Sequence, residues 1–364
     1  MRVQFNAVLK DVTRKGTKIQ TDEYLTEGKF PIIDQGNNDI AGYRDDETGL
    51  FTDVPAIVFG DHTRIVKYIT EPFFLGADGV KVLVPIDRTM NCKYLYYQLL
   101  SAKIPDTGYN RHFKWVKELE FQLPSRNEQD DVVKRLDKLC VVISARQQQL
   151  AKLDELVKAR FVEMFGDVIH NDKKWKEYRF SDITSSRLGK MLDAKQQTGK
   201  HSFPYLANAN VQWFRFETDN LNRMDFNEAE QVEFSLKDGD LLVCEGGEIG
   251  RCAVWHNQVQ SCYFQKALHR VRCNQEIILP DYLAWWFKFN CENNGFAAIE
   301  GAKATIAHLP GAKLKQLLVV VPPIERQYRF VDFIEQTDVV KVTVQKSLEQ
   351  METLKKALMQ QYFG

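Results

Sequence analysis

The sequence predicts a mixed α/β (α+β) protein in which two globular domains of short strands and helices are joined by two long antiparallel helices in a pseudo-two-fold arrangement. Three observations carry this. A 43-residue segment from Pro124 to Gly166 recurs, without a gap, from Pro322 to Gly364. Twelve of the 43 aligned pairs are identical, where ordinary residue usage would give roughly two or three. Both copies show helical periodicity, and each follows a stretch of short apolar runs punctuated by Gly, Asp and Pro.

The identical pairs run the length of the repeat: Pro124 with Pro322, Gln129 with Gln327, Val141-Val142 with Val339-Val340, Leu150 with Leu348, Leu156 with Leu354, Lys158-Ala159 with Lys356-Ala357, and Phe165-Gly166 with Phe363-Gly364. Apolar residues recur at steps of three and four: Val132, Leu136, Leu139, Ile143, Leu150, Leu153, Val157 and Met164 in one copy, Phe330, Ile334, Val344, Leu348, Met351, Leu358 and Tyr362 in the other. That period is a helix stripe. No Gly or Pro interrupts either helix. A helix of this size is a rod of roughly 60 Å that cannot bury its own stripe, so the two copies are expected to pair. Arg146 and Arg160 in one, Lys341 and Lys355 in the other, interrupt the seam, which can fix register and partner at a cost in stability.

The order of the chain is then domain, helix, domain, helix, with boundaries at 1–122, 123–166, 167–320 and 321–364. In the first domain, FPII (30–33), PAIVFG (55–60), RIVKYI (64–69), FFLG (73–76) and VKVLVP (80–85) read as strands. KYLYYQLLSA (93–102) reads as a helix, TGYNRHFK (107–114) as a polar loop, and ELEFQLP (118–124) as a final strand. The second domain follows the same order: FPYLANANVQW (203–213), a strand DLLVCEGGEIGRCAVW (240–255), the pair CYFQKALHRVRC (262–273), a helix PDYLAWWFKF (280–289), the loop GAKATIAHL (301–309) and the strand LLVVVPP (317–323).

Composition bounds the function. A chain of 364 residues, 44% hydrophobic and 12% aromatic, is long enough for two cores and too apolar to be disordered. It has no apolar run of about 18 residues and no signal-peptide core at its start, so the expected location is the cytoplasm, with no membrane partner. Seven cysteines without a CxxC pair argue against a disulfide framework and a standard zinc site. The group Cys252, His256, Cys262, His269 and Cys273 fits no common ligand spacing, and no metal is expected there.

Net charge is zero, with 49 basic and 49 acidic residues. The balance is also local: eight basic to seven acidic in 121–166 and six to six in 321–364. No region is a basic cushion, so binding to nucleic acid would need clustered cations or a partner that supplies most phosphate contacts.

The chain carries no P-loop, no GxGxxG after a strand, no HExxH and no GxSxG. It also lacks the Asn/Asp-Pro-Pro-aromatic tetrapeptide of amino-methyltransferases. No catalytic residues and no cofactor are expected. The polar loops are more informative, because they mix aromatic, amide and cationic groups of the kind that read base edges and phosphates. The candidate DNA-binding residues are His62, Thr63 and Arg64 after the strand ending at Gly60, and Tyr109, Asn110, Arg111, His112 and Lys114 in the next loop. In the second domain they are Asn208, Asn210, Gly247, Arg251, Gln265, Lys266, Lys303 and Thr305.

The succession FGDHTRIVKY (59–68), TGYNRHFK (107–114), EFQLPSRNEQ (120–129), KLDELVKARFVEMFGD (152–167), GGEIGR (246–251), GAKATIAHL (301–309) and VVVPPIERQ (319–327) resembles the specificity subunit of type I restriction-modification systems over essentially the whole chain. One departure is the opening of the first helix, Pro124-Ser125, where a second proline is usual. The resemblance implies two target-recognition domains that each read one half of a split double-stranded DNA site. The two helical spacers pair antiparallel, set the gap, and bind two methylation subunits, which restriction subunits join. It implies a noncatalytic subunit. A coiled-coil scaffold around a protein partner, or a self-sufficient modification enzyme, are the competing readings.

Overall fold

A computed structural model describes residues 1–77, 79–193, 197–296 and 308–364. The chain divides into two compact units, Met1–Gln149 with Val344–Gly364, and Leu150–Thr343.

The first unit holds β1 (Arg2–Gln4), α1 (Phe5–Val8), β2 (Leu9–Asp11), β3 (Phe30–Ile33), β4 (Gly42–Arg44), β5 (Ala56–Gly60), β6 (Val66–Ile69), β7 (Phe74–Leu75), β8 (Val80–Pro85), α2 (Cys92–Ser101), α3 (Phe113–Val116) and β9 (Glu120–Gln122), followed by α4 (Arg126–Phe165), which continues beyond it. An antiparallel sheet runs β2-β8-β5-β6 and a second runs β4-β3-β7, with β3 and β7 parallel. Alternation along β5 explains the layering. Ile57 and Phe59 point to a core with Leu83, Leu95 and Leu99, under α2. Ala56 and Val58 point the other way, to Ile33, Phe73 and Leu75 of the smaller sheet side. A strand covered on both faces is apolar throughout, and β5 is buried at every position.

The second unit repeats this plan. It comprises β10 (Lys176–Arg179), α5 (Phe180–Ile183), β11 (Thr184–Leu188), β12 (Ser202–Leu206), β13 (Val211–Gln212), β14 (Arg215–Phe216), β15 (Asn222–Asp225), α6 (Glu228–Glu233), β16 (Leu241–Cys244), β17 (Cys252–Val254), β18 (Tyr263–Phe264), β19 (Leu268–Cys273), α7 (Pro280–Glu292), α8 (Gly311–Gln316) and β20 (Leu318–Val321), then α9 (Ile324–Phe363), which runs on into the first unit. Its sheets are β11-β19-β16-β17 and β15-β12-β18, again with one parallel pair, β12 with β18. Strands β1 and β9 pair in the first unit as β10 and β20 do in the second. The stretch 240–255, expected to be one strand, is a hairpin: β16 and β17 pair antiparallel, and the glycines of 246–250 make the turn. Strands β1, β2, β10 and β11 are too short or too polar to stand out in the sequence.

The repeated segment forms the two long helices, and each unit contains the start of one and the end of the other. In the first unit the Arg135 guanidinium meets the Tyr362 hydroxyl at 3.3 Å. In the second, Lys341 pairs with Asp154 at 2.7 Å and Arg160 lies over the Phe333 ring. Both sets of contacts are antiparallel. Ser125, at the departure noted above, donates its backbone and hydroxyl to Glu128 at 2.9 and 2.6 Å, a capping arrangement that satisfies the open first turn of α4.

The glutamine kept at the same place in both repeats has one task in each unit. Gln129 accepts from the Asn91 N–H, at the N-cap of α2, and donates to the Pro124 carbonyl, both at 2.9 Å. Gln327 accepts from the Leu279 N–H, at the N-cap of α7, and donates to the Pro322 and Ile277 carbonyls at 2.8 and 2.9 Å. Both side chains are buried. Because a buried main-chain group left without a partner costs about 1–3 kcal/mol, Gln327→Leu is expected to destabilise by about 3 kcal/mol and Gln129→Leu by about 2. Urea unfolding of the two variants measures this.

Candidate nucleic-acid interface

In the first unit, three loops converge beyond the end of β5. The β5–β6 turn closes with Gly60 N–H on the Ile65 carbonyl and Arg64 N–H on the Gly60 carbonyl, both at 2.8 Å. Arg64 takes a left-handed backbone, φ +63°. A Cβ at Gly60 would stand 2.2 Å from Thr63 Oγ1 and 2.9 Å from Gln35 Cβ, so this position needs glycine. Gln35, in the loop after β3, receives the Thr63 hydroxyl on its carbonyl at 2.7 Å and the His62 N–H on Oε1 at 3.1 Å. Lys67, buried beneath, donates to the Asn38 carbonyl at 2.5 Å and pins the same loop.

Asp61 ties in the third loop. Its carbonyl accepts the His112 N–H at 2.7 Å and lies 3.0 Å from His112 Nδ1, while its carboxylate accepts the Phe113 N–H at 2.8 Å. His112 is 0% exposed and packs against Trp115. It is buried as a brace between Asp61 and Trp115, with its Nε2 left without a partner among the described residues. Tyr109 is its opposite, 88% exposed and stacked flat on His62 at 4.7 Å and 8°. Asn110 donates to the Thr107 carbonyl at 2.6 Å, and its own carbonyl lies 3.2 Å from His62 Nδ1. Arg64 pairs with Asp106 at 2.7 Å. The Gly108 N–H and then Arg64 hold the Asp106 carboxyl below the usual range. Arg111 is exposed, and the Lys114 ammonium sits 4.1 Å from the Trp115 ring centre, an ordinary cation–π distance.

The second unit builds the corresponding end with different residues. Cys244 N–H meets the Arg251 carbonyl at 2.8 Å and Gly250 N–H the Cys244 carbonyl at 3.3 Å, matching Gly60, Ile65 and Arg64. Gly250 carries the left-handed backbone, φ +77°, that Arg64 carries in the first unit. Glu245 stands for Asp61: its carbonyl accepts from Leu309 N–H at 2.6 Å. Asn208 stands where Gln35 does, donating to the Gly246 carbonyl at 3.0 Å. Arg251 folds back on the Asn208 carbonyl at 3.1 Å and Glu248 at 3.3 Å. Its Nε and Asn208 Oδ1 are buried without a partner among the described residues. Asn210 spends both ends of its amide on Ala207 N–H and the Glu217 carbonyl, at 2.9 and 3.0 Å. Gly247, Asn208 and Arg251 thus come together. Gln265 and Lys266 lie in the adjoining β18–β19 turn, Lys266 exposed. Lys303 and Thr305 lie outside the described residues.

Gln35 is a further group of this site that loop composition points to: QGNN (35–38) follows β3 after Asp34 and mixes glycine with amides, and Asn37 and Asn38 are exposed. Of the cysteine–histidine group, His269 Nε2 lies 2.9 Å from the Leu309 carbonyl and burial lowers its pKa; His256 faces Asp238 at 3.3 Å. Among the described residues no three His, Cys, Asp or Glu are grouped to hold a metal, and no helix is long and apolar enough to cross a membrane.

Two copies of one module, each with the same hairpin closure tied to neighbouring segments and each followed by the same long helix, define a tandem recognition protein. The chain belongs to the family of the type I restriction modification DNA specificity domain, whose profile matches residues 6–155 and 172–352. It is 20% identical over 267 residues to the type I restriction enzyme EcoKI specificity subunit of Escherichia coli strain K12, covering 67% of this chain and 57% of that protein. Another Escherichia coli type I specificity subunit is 20% identical over 360 residues, 90% of this chain and 86% of that one. The fold is shared with the crystal structure of the type I restriction-modification S subunit from M. genitalium, with a TM-score of 0.60 at 16% identity, covering 100% of this chain and 96% of that chain. A chain in a structure of the type I R-M system gives 0.61 at 12%, covering 100% and 97%.

Proposed function

We propose that this chain is the noncatalytic subunit that reads a bipartite double-stranded DNA site and directs two methylation subunits, and with them restriction subunits, to it. The observation that carries the reading is the duplicated end. The same hairpin closure, the same left-handed position and the same tie to a third loop recur in both units, while the side chains they display differ. A shared frame with different displays is what two different half-sites require. In the first unit the readers are His62, Thr63, Arg64, Tyr109, Asn110, Arg111 and Lys114. In the second they are Asn208, Asn210, Gly247, Arg251, Gln265 and Lys266, with Lys303 and Thr305 assigned from sequence.

Two partner copies are supported by where the repeat's identities fall. Val141 is 68% exposed and Val339 69% exposed. Val142, Val340, Leu156 and Leu354 are also exposed. Residues identical in both helices yet absent from the seam between them give each unit one Val-Val pair and one Leu for the same kind of partner. Exposed apolar groups of this sort mark interaction sites when they cluster. The partners would also supply phosphate contacts that a neutral chain lacks. The domain boundaries proposed are 1–122 and 167–320 for the readers, 123–166 and 321–364 for the spacers, and the place of action is the cytoplasm.

The experiment mixes the purified chain with methylation subunits and maps the methylated bases. Methylation of a split motif only when both are present supports the reading; methylation by the chain alone would mean an enzyme; none at all would favour a scaffold. Arg111→Ala with Lys114→Ala is expected to lower methylation about tenfold, a loss within the range of one base-edge contact, and to relax the sequence of one half-site only. An unchanged motif and rate would make 107–114 a structural turn.

A further inference from the structure

The two units are not equally filled. In the second, Phe161 of α4 sits among the rings of Phe165, Tyr282, Trp285, Phe289 and Phe330, at centroid distances of 5.1 to 6.1 Å. One turn beyond Phe289, Glu292 pairs with Lys158 of α4 at 2.7 Å. The repeat register makes Met359 of α9 the counterpart of Phe161, Phe363 of Phe165, and Lys356 of Lys158. Counting from the N-caps of α2 and α7, both held by the repeated glutamine, Tyr94 matches Tyr282, Tyr97 matches Trp285 and Ser101 matches Phe289. The match is confirmed by packing: Tyr94 meets Phe363 at 5.3 Å as Tyr282 meets Phe165 at 4.9 Å.

The first unit therefore has serine where the second has Phe289. Its helix α2 has 10 residues where α7 has 13, so it lacks the turn that carries Glu292. What remains is a cleft of about 1170 Å³, lined among others by Ser101, Met359 and Phe363, by the three cations Lys103, Lys355 and Lys356, and by two carboxylates, Glu120 and Glu352. Among the described residues none of these three lysines has an ion-pair partner, whereas the counterpart Lys158 has Glu292.

We propose that this cleft takes, from a partner polypeptide, an aromatic side chain followed one helical turn later by a carboxylate, the pair that Phe289 and Glu292 supply in the other unit. The aromatic ring would fill the place beside Met359 and Phe363, and the carboxylate would meet Lys356. Chemistry and spacing are both given by the chain's own second copy. The inference is independent of DNA reading and is tested without DNA.

The test titrates a fluorescein-labelled, alanine-based helical peptide, with one phenylalanine and a glutamate three residues later, into the full-length chain and follows anisotropy. Saturable binding is expected. Lys356→Glu, at an exposed position, is expected to weaken it about tenfold, and a peptide with lysine in place of its glutamate is expected to regain it. The pair Ser101→Phe and Met359→Phe, checked for folding by its melting curve, is expected to abolish binding by filling the cleft. No saturable binding to the unaltered chain overturns the proposal. So does binding that neither the charge reversal nor the filling pair changes.

Discussion

Replacing Phe161 with alanine is expected to destabilise the protein by about 4 kcal/mol, the range for removing a buried phenylalanine. Phe161 is 1% exposed and touches five rings contributed by α4, α7 and α9. No neighbour can collapse into the space without breaking its own ring contacts, so the cavity term adds to the lost transfer energy. The equivalent change in the first unit, Met359→Ala, should cost only about 1 kcal/mol, because Met359 is half-buried on an open cleft and has less to lose. Denaturant unfolding of both variants measures the contrast. Equal costs would mean that the two units are filled alike in solution.

Insertion of four residues after Leu150 is expected to change the DNA sequence that is methylated in one respect only, the gap between half-sites. The division between the two units falls one residue earlier, between Gln149 and Leu150, so nearly all contacts inside each unit are expected to persist. Four residues add about 6 Å of helix and close to one full turn. On DNA that is on the order of one or two base pairs at 3.4 Å each. Methylation at the original site should be lost, and both half-site sequences should persist at the longer spacing. Mapping methylated positions after mixing with the methylation subunits reads the outcome directly. Altered half-sites at the old spacing would break the separation of readers from spacers.

Several features were legible in the sequence because they are local. The long helices follow from a three-four period and from the absence of Gly and Pro, and they run Arg126–Phe165 and Ile324–Phe363. The strands at 30–33 and 80–85 follow from short apolar runs between breakers. The stretch 240–255 reads as one strand because its turn, Gly246 to Gly250, lies between two apolar runs of the same buried type. Only pairing between Leu241 and Val254 separates them.

The site was legible in outline and not in detail. Loop composition located the β5–β6 and 107–114 segments but could not tell a displayed group from a brace. Tyr109 and His112 stand three residues apart in one polar loop, and one is exposed while the other is buried against Asp61. Arg64 and Arg251 look like free cations in sequence, yet each folds back on a partner, Asp106 or the Asn208 carbonyl, 42 or 43 positions away.

By itself the sequence determined that one helix is used twice, in matched register, after two domains of the same order. Repetition and period are properties of neighbours along the chain and need no packing to be read. Only the tertiary structure decided what the repeated residues do: that Gln129 and Gln327 cap a helix belonging to the preceding domain, that the shared Val-Val pairs at 141–142 and 339–340 face outward, and that the aromatic cluster of one unit is a cleft in the other. Each of those depends on groups brought together from distant positions, where burial and hydrogen bonding are settled by the partner across the contact and not by the residue's own neighbours.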